Sequence, residues 1–210
     1  MTDEEFWRSS RVPQRLLDFV RAGESARKLR LVACAYSRDV WDSLTDKRSR
    51  NAVEIAEGFA DASCSVGWLN HAQDEAALVA SESLMRDPKS PETRALRLAV
   101  AATNEDAYTA AYLGTQDTHR HPQSSSQLWV LRDIFGNPFR PVAFDPAWRT
   151  HTTAGIAAKM YADRNFSAMP ILADALEEAG CDNVDVLLHC REPGTHVRGC
   201  WVVDLVLGKQ

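Results

Sequence analysis

The stretch Cys200-Trp-Val-Val-Asp-Leu-Val-Leu207 decides the fold class. Its β-branched residues permit a strand, and a strand there would make the protein mixed α/β. A strand needs partners, however, and no other segment of the chain alternates polar and apolar residues with period two over strand length. The stretch therefore reads as a buried terminal helix, and the chain as all-α, built either as one multi-helix bundle or as two packed helical lobes.

Working back from it, Pro193-Gly194 is a turn. Val184, Leu187 and Leu188 form a short helix, with Asp182 as its expected N-cap and Asp185 three residues on. Gly180 is placed to end the preceding helix, whose buried face is Leu172, Ala175, Leu176 and Ala179 and whose first turn carries Pro170. Ile156, Ala157, Met160 and Tyr161 mark another helix from about Thr152. Between Phe135 and Trp148 the prolines at 138, 141 and 146 forbid regular helix, because each removes a donor and restricts its predecessor. Leu128, Leu131, Ile134 and Phe135 make an amphipathic helix ending at Gly136.

The first half shows apolar stripes at helical spacing. Pro13 starts one helix and Gly23 ends it. Ser25 opens the next, with Leu29, Val32, Ala33, Tyr36, Val40 and Leu44 on one face, and Asp46 caps its successor, striped by Ala52, Ile55, Ala56 and Phe59. Trp68, Leu69, Ala72, Ala76 and Val79 make a third stripe. A fourth helix is expected to run unbroken from Pro91 to Tyr112. Phe6 and Trp7 read as an aromatic pair tucked against the body. Residues 1–113 thus form an N-terminal helical region, 114–127 a loop or linker, and 128–210 a C-terminal helical region. His119 and His121 lie in the linker, where a metal-binding role is the minor reading.

The charge is mild, with 24 basic and 29 acidic residues and a formal net charge of -5. The basic residues are scattered apart from Arg27–Arg30 and Lys47–Arg50, and the mildly acidic balance gives no electrostatic footprint for a nucleic-acid backbone. No apolar run is long enough to span a membrane, and the acidic start is no secretory signal. An odd count of 5 dispersed cysteines argues against a disulfide framework and for a reducing, cytoplasmic setting.

The strings Leu131-Arg-Asp-Ile-Phe-Gly-Asn-Pro-Phe-Arg-Pro141, Asp145-Pro-Ala-Trp148, Leu172 to Asp182, His189-Cys190 and His196-Val-Arg-Gly-Cys-Trp-Val-Val-Asp204 resemble a group of uncharacterised proteins common in planctomycete genomes. The resemblance covers most of the chain and implies one kind of domain with no established activity. Members of that group often carry further cysteines after the position of Cys34, where this chain has Tyr36 and Ser37.

No complete catalytic set, phosphate loop or calcium loop occurs. The leading functional expectation is a non-catalytic interaction or scaffold domain without a cofactor, meeting another protein through Phe135, Phe139, Phe144 and Trp148. The oligomeric state is not readable. The first alternative is a zinc-stabilised domain using Cys181, Cys190, His196 and Cys200, four soft ligands within twenty residues. The second is a cysteine-dependent hydrolase, with Cys200 as nucleophile, His196 as base and Asp185 or Asp204 orienting it. Arg191 and Arg198 flank the turn and form a candidate anion site.

Overall fold

The computed structural model describes residues 2–21, 23, 25–116 and 124–209. Among these the chain is all-helical, with no strand. It forms two compact units, one of residues 9–131 and one of residues 1–8 together with 132–210.

In the 9–131 unit, the helices are α2 (Pro13–Val20), α3 (Ala26–Asp39), α4 (Lys47–Ala60), α5 (Val66–Arg86), α6 (Pro91–Ala102), α7 (Ala107–Gln116) and the first part of α8 (Ser124–Phe135); α1 (Asp3–Ser9) precedes them. Side-chain caps fix several starts: Ser25 accepts from the Lys28 amide, Asp46 from Arg48, Ser65 from Trp68 and Ser90 from Thr93. Such caps satisfy amides that have no partner within the helix. Helix α3 packs against α4, α6 and α7, and α5 packs against α4 and α6. The shared core is rich in alanine, with Ala33, Ala56, Ala95, Ala99, Ala102 and Ala110 beside Leu44, Leu69 and Leu96.

The helix expected from Pro91 to Tyr112 is in fact two. Asn104 accepts from the Asp106 amide at 3.0 Å, and Asp106 accepts from Thr109 at 2.7 Å. These short side chains offer the backbone an alternative to continued helix. The break is held from across the unit by Arg30, which is 2% exposed. Its guanidinium donates to the carbonyls of Ala102, Asn104 and Glu105 at 2.9, 2.6 and 2.8 Å.

The stretch 114–127, expected to be a loop, is helical at both of its described ends. Helix α7 continues through Gln116, and α8 begins at Ser124. Gly114 is not a helix breaker here, because a Cβ on it would lie 2.8 Å from Tyr36 Cδ2, so it lets the ring of α3 close on α7. His119 and His121 lie outside the described residues.

The other unit contains α1, the end of α8, and then α9 (His151–Asp163), α10 (Met169–Glu178), α11 (Val184–Arg191) and α12 (Trp201–Leu207). The ambiguous terminal stretch is indeed helical. Val202, Val203 and Val206 are wholly buried in a core with Met160, Leu172, Leu176 and Trp148. Valine lowers helix propensity by only tenths of a kcal/mol, whereas burying its side chain contributes about 1.5 kcal/mol or more, so packing decides. Arg149 closes the end of α12 by donating to the carbonyls of Val206 and Leu205. The cap of α11 is Asn183, which accepts from Val186 at 3.1 Å, one residue later than the expected Asp182. Gly180 and Gly208 take left-handed φ after α10 and α12. Among the described residues no helix is long and apolar enough to cross a membrane.

Candidate metal centre

Four ligand-bearing side chains converge within the second unit: Asp133 on α8, His189 in the last turn of α11, His196 in the α11–α12 connection, and Cys200 immediately before α12. One ligand atom from each lies within 4.8 Å of all the others. His196 Nδ1 is 2.6 Å and His189 Nε2 is 3.1 Å from Asp133 Oδ1. Cys200 Sγ is 3.3 Å from His189 Nε2 and 3.8 Å from His196 Nδ1.

The pattern of contacts is informative. Each imidazole turns a single nitrogen toward both Asp133 and Cys200. A nucleophilic relay needs the opposite arrangement, with one ring nitrogen on the thiol and the other on the carboxylate. Donors that all face one point are instead the arrangement of a coordination shell. For tetrahedral zinc with Zn–S near 2.3 Å and Zn–N near 2.0–2.1 Å, neighbouring S and N atoms stand roughly 3.5 Å apart. The two S···N separations here, 3.3 and 3.8 Å, bracket that value. The His196–Asp133 contact, at 2.6 Å, is a direct hydrogen bond; a bound ion would widen it by roughly 0.7 Å.

The surroundings hold these groups in place. The second oxygen of Asp133 accepts from the Val197 amide at 2.9 Å, which fixes the carboxylate plane. The His189 ring lies edge-on to His196 at 4.9 Å and tilts against Trp201 at 5.2 Å. The Asp133 side chain is fully buried, His196 is 4% exposed and His189 is 15% exposed. Burial by itself pushes the Asp133 carboxyl up, but the hydrogen bonds from His189 and His196 outweigh it and hold the group below its ordinary range. Burial raises the Cys200 thiol well above its ordinary value, and the Asp133 charge adds to this; the amides of Val203 and Val202 act the other way. A cation at the centre of the group would act against this shift, because it binds the thiolate form.

Of the residues singled out by sequence, the structure brings His196 and Cys200 together and leaves Cys181 and Cys190 outside the group of four. Those two cysteines are buried in the neighbouring apolar core. Cys190 follows His189 on α11, and successive helical residues point about 100° apart. One faces the site, so the other faces the core. Burial first, then Asp133 and Cys181, push the Cys190 thiol up to about 12. Asp133 and His189 take the two remaining places. Asp133 also holds His196, the role expected of Asp185 or Asp204, and Asp185 is exposed.

The remaining candidates are placed as follows. Phe135 and Trp148 are buried, Phe144 is half-buried with its ring against Trp148 at 5.4 Å, and Phe139 is exposed. The segment offers no row of exposed rings. Arg191 pairs with Asp174 and Glu177 at 2.9 and 2.6 Å. Arg198 lies over the Tyr161 ring at 4.5 Å. The two arginines are thus each engaged with other groups.

Comparison with known proteins finds no matching family model, no matching curated protein and no matching solved structure.

Proposed function

We propose that residues 132–210 form a non-catalytic, metal-stabilised helical domain that binds one zinc ion through Asp133, His189, His196 and Cys200. The observation that carries this reading is the convergence of one oxygen, two nitrogens and one sulfur on a single buried point. Two imidazoles and a thiolate suit a borderline ion, and zinc accepts a carboxylate as the remaining ligand. Four protein ligands complete a tetrahedral shell and leave no position for substrate, which makes the site structural. The cysteine-hydrolase alternative is less well supported, since Cys200 is buried and faced by the same nitrogen atoms that face Asp133. As an interaction domain, its aromatic segment would offer a partner protein chiefly Phe139, since Phe135 and Trp148 are buried and Phe144 is half-buried.

The test is metal analysis of the untagged protein. About one equivalent of zinc per chain is expected in the wild type. Loss of that equivalent is expected in Asp133→Ala and in Cys200→Ser, and retention in Cys181→Ser. Wild-type protein that takes up no zinc, cobalt or other transition metal from a saturating solution would overturn the reading.

A further inference from the structure

The N-terminal helix is anchored on the segment that carries Asp133. Trp7 is 2% exposed, and its indole Nε1 donates to the Gly136 carbonyl at 3.0 Å. The Trp7 carbonyl in turn accepts from Arg132 Nε and Nη2 at 3.3 and 3.0 Å. Glu4 Oε1 accepts from Asn137 Nδ2 at 3.0 Å and pairs with Arg140 Nε at 2.7 Å. These anchors all fall between residues 132 and 140. Helix α1 is also specified locally by a reciprocal cap, in which Thr2 N donates to Glu5 Oε2 at 2.8 Å and Glu5 N to Thr2 Oγ1 at 3.2 Å.

Two short physical routes join this seat to the metal centre. The first is covalent: Asp133 stands between Arg132 and Gly136 in one turn at the end of α8. The second is packing. Gly136, at φ +65, lies flat against the Trp201 indole, with Cγ only 3.1 Å from where a Cβ would be. Trp201 directly follows Cys200 and lies against the His189 ring. The carbonyl that receives Trp7 thus belongs to a residue pressed between the N-terminal helix and the residue following a ligand.

We propose that α1 is a latch whose docking is coupled to metal at Asp133, His189, His196 and Cys200. This inference rests on the metal reading above. Ligation fixes Asp133 and Cys200 relative to each other and so fixes the seat formed by Arg132, Gly136 and Trp201. By linkage the coupling is reciprocal: whatever factor metal adds to docking, docking adds to metal affinity. Metal then governs display of the N-terminal helix: release uncovers the buried Trp7 ring and frees the already exposed Arg8–Ser9 bond to leave its helical backbone.

The experiment uses the full chain, zinc ion and trypsin. The rate of cleavage after Arg8 is read by mass spectrometry for zinc-loaded protein and for protein stripped of metal and dialysed beforehand. The Trp7 carbonyl must leave Arg132 before the chain can enter the protease, so zinc is expected to slow this cut by roughly tenfold, within the usual range of coupling between sites. Trp7→Ala is expected to weaken zinc binding by that same factor. If Trp7→Ala fails to fold, Glu4→Gln carries the test, because it loosens only the Asn137 and Arg140 contacts; it is expected to speed the cut both with and without zinc, while zinc still slows it by the same factor as in the wild type. Zinc that binds the wild type without changing the cut after Arg8, or an undocked variant with unchanged zinc affinity, would overturn the latch alone. A wild-type chain that binds no zinc would overturn the latch and the metal reading together.

Discussion

Replacing Cys200 by serine separates the contribution of the metal from that of the core. In the metal-free protein the change puts a hydroxyl where a buried thiol sat among Val202, Val203 and Val206. The hydroxyl still has the His189 and His196 nitrogens as hydrogen-bond partners, so this metal-independent change costs about 1 kcal/mol, the scale of a single hydrogen bond. In the zinc-loaded protein the variant also loses a ligand, and with it the stabilisation that ligation adds. At free zinc about one hundred times Kd, this linkage is about 2.7 kcal/mol. For a chain of this size such an increment raises the melting temperature by roughly 5–11 °C. The assay is thermal unfolding followed by circular dichroism, with and without zinc held at that ratio. Zinc is expected to shift the wild type by that amount and Cys200→Ser by almost nothing. Asp133→Ala should also abolish the zinc shift, and the double variant should lose no more of it than either single one, because the residues share one ion. A zinc shift of equal size in wild type and Cys200→Ser would refute the assignment of Cys200 as a ligand.

Three further outcomes follow from buried groups. Because the Asp133 carboxyl is held below its ordinary value of 3.8, its hydrogen bonds contribute stability that is complete above that pH and is lost as pH falls through the lower folded value; acid titration of metal-free wild type and Asp133→Asn should show the variant losing less stability in that window. Trp148→Ala should cost about 3–5 kcal/mol in urea unfolding, since the ring is buried and meets Phe144 edge-on; a cost below 1 kcal/mol would mean that the ring does not hold the core. Gly114→Ala should destabilise by about 1–3 kcal/mol despite its better helix propensity, because the added methyl would meet Tyr36 at 2.8 Å; a rise in melting temperature would contradict the close approach.

The helices were legible where local chemistry and periodicity agreed. Ser25, Asp46 and Gly180 act at the termini their residue types suggest. The terminal helix was legible by elimination, as no segment offered it a strand partner. The break after Ala102 was not, because Arg30 supports it from 72 residues away in sequence. The metal centre was half legible for the same reason. His196 and Cys200 are one loop apart, whereas Asp133 is 63 residues before His196. A signal did exist: Asp133 is a single carboxylate among the buried Val130, Leu131, Ile134 and Phe135. An acid on the apolar face of a helix needs a partner, and the sequence alone does not say which. Cys190 misled because a thiol beside a histidine looks like a ligand pair, while a helix turns the two to different faces.

Arg30 has a consequence for how such a chain can vary. Its guanidinium binds three carbonyls of one connection at once, and a planar fork matches only one spacing of acceptors. Adding a residue between Ala102 and Glu105 would move at least one carbonyl out of reach and leave a buried cation short of acceptors. Insertions there are therefore tolerated only together with replacement of the arginine. Among homologous chains, the length of this connection and the residue at position 30 should change as a pair, so that a longer connection beside a retained arginine would be selected against.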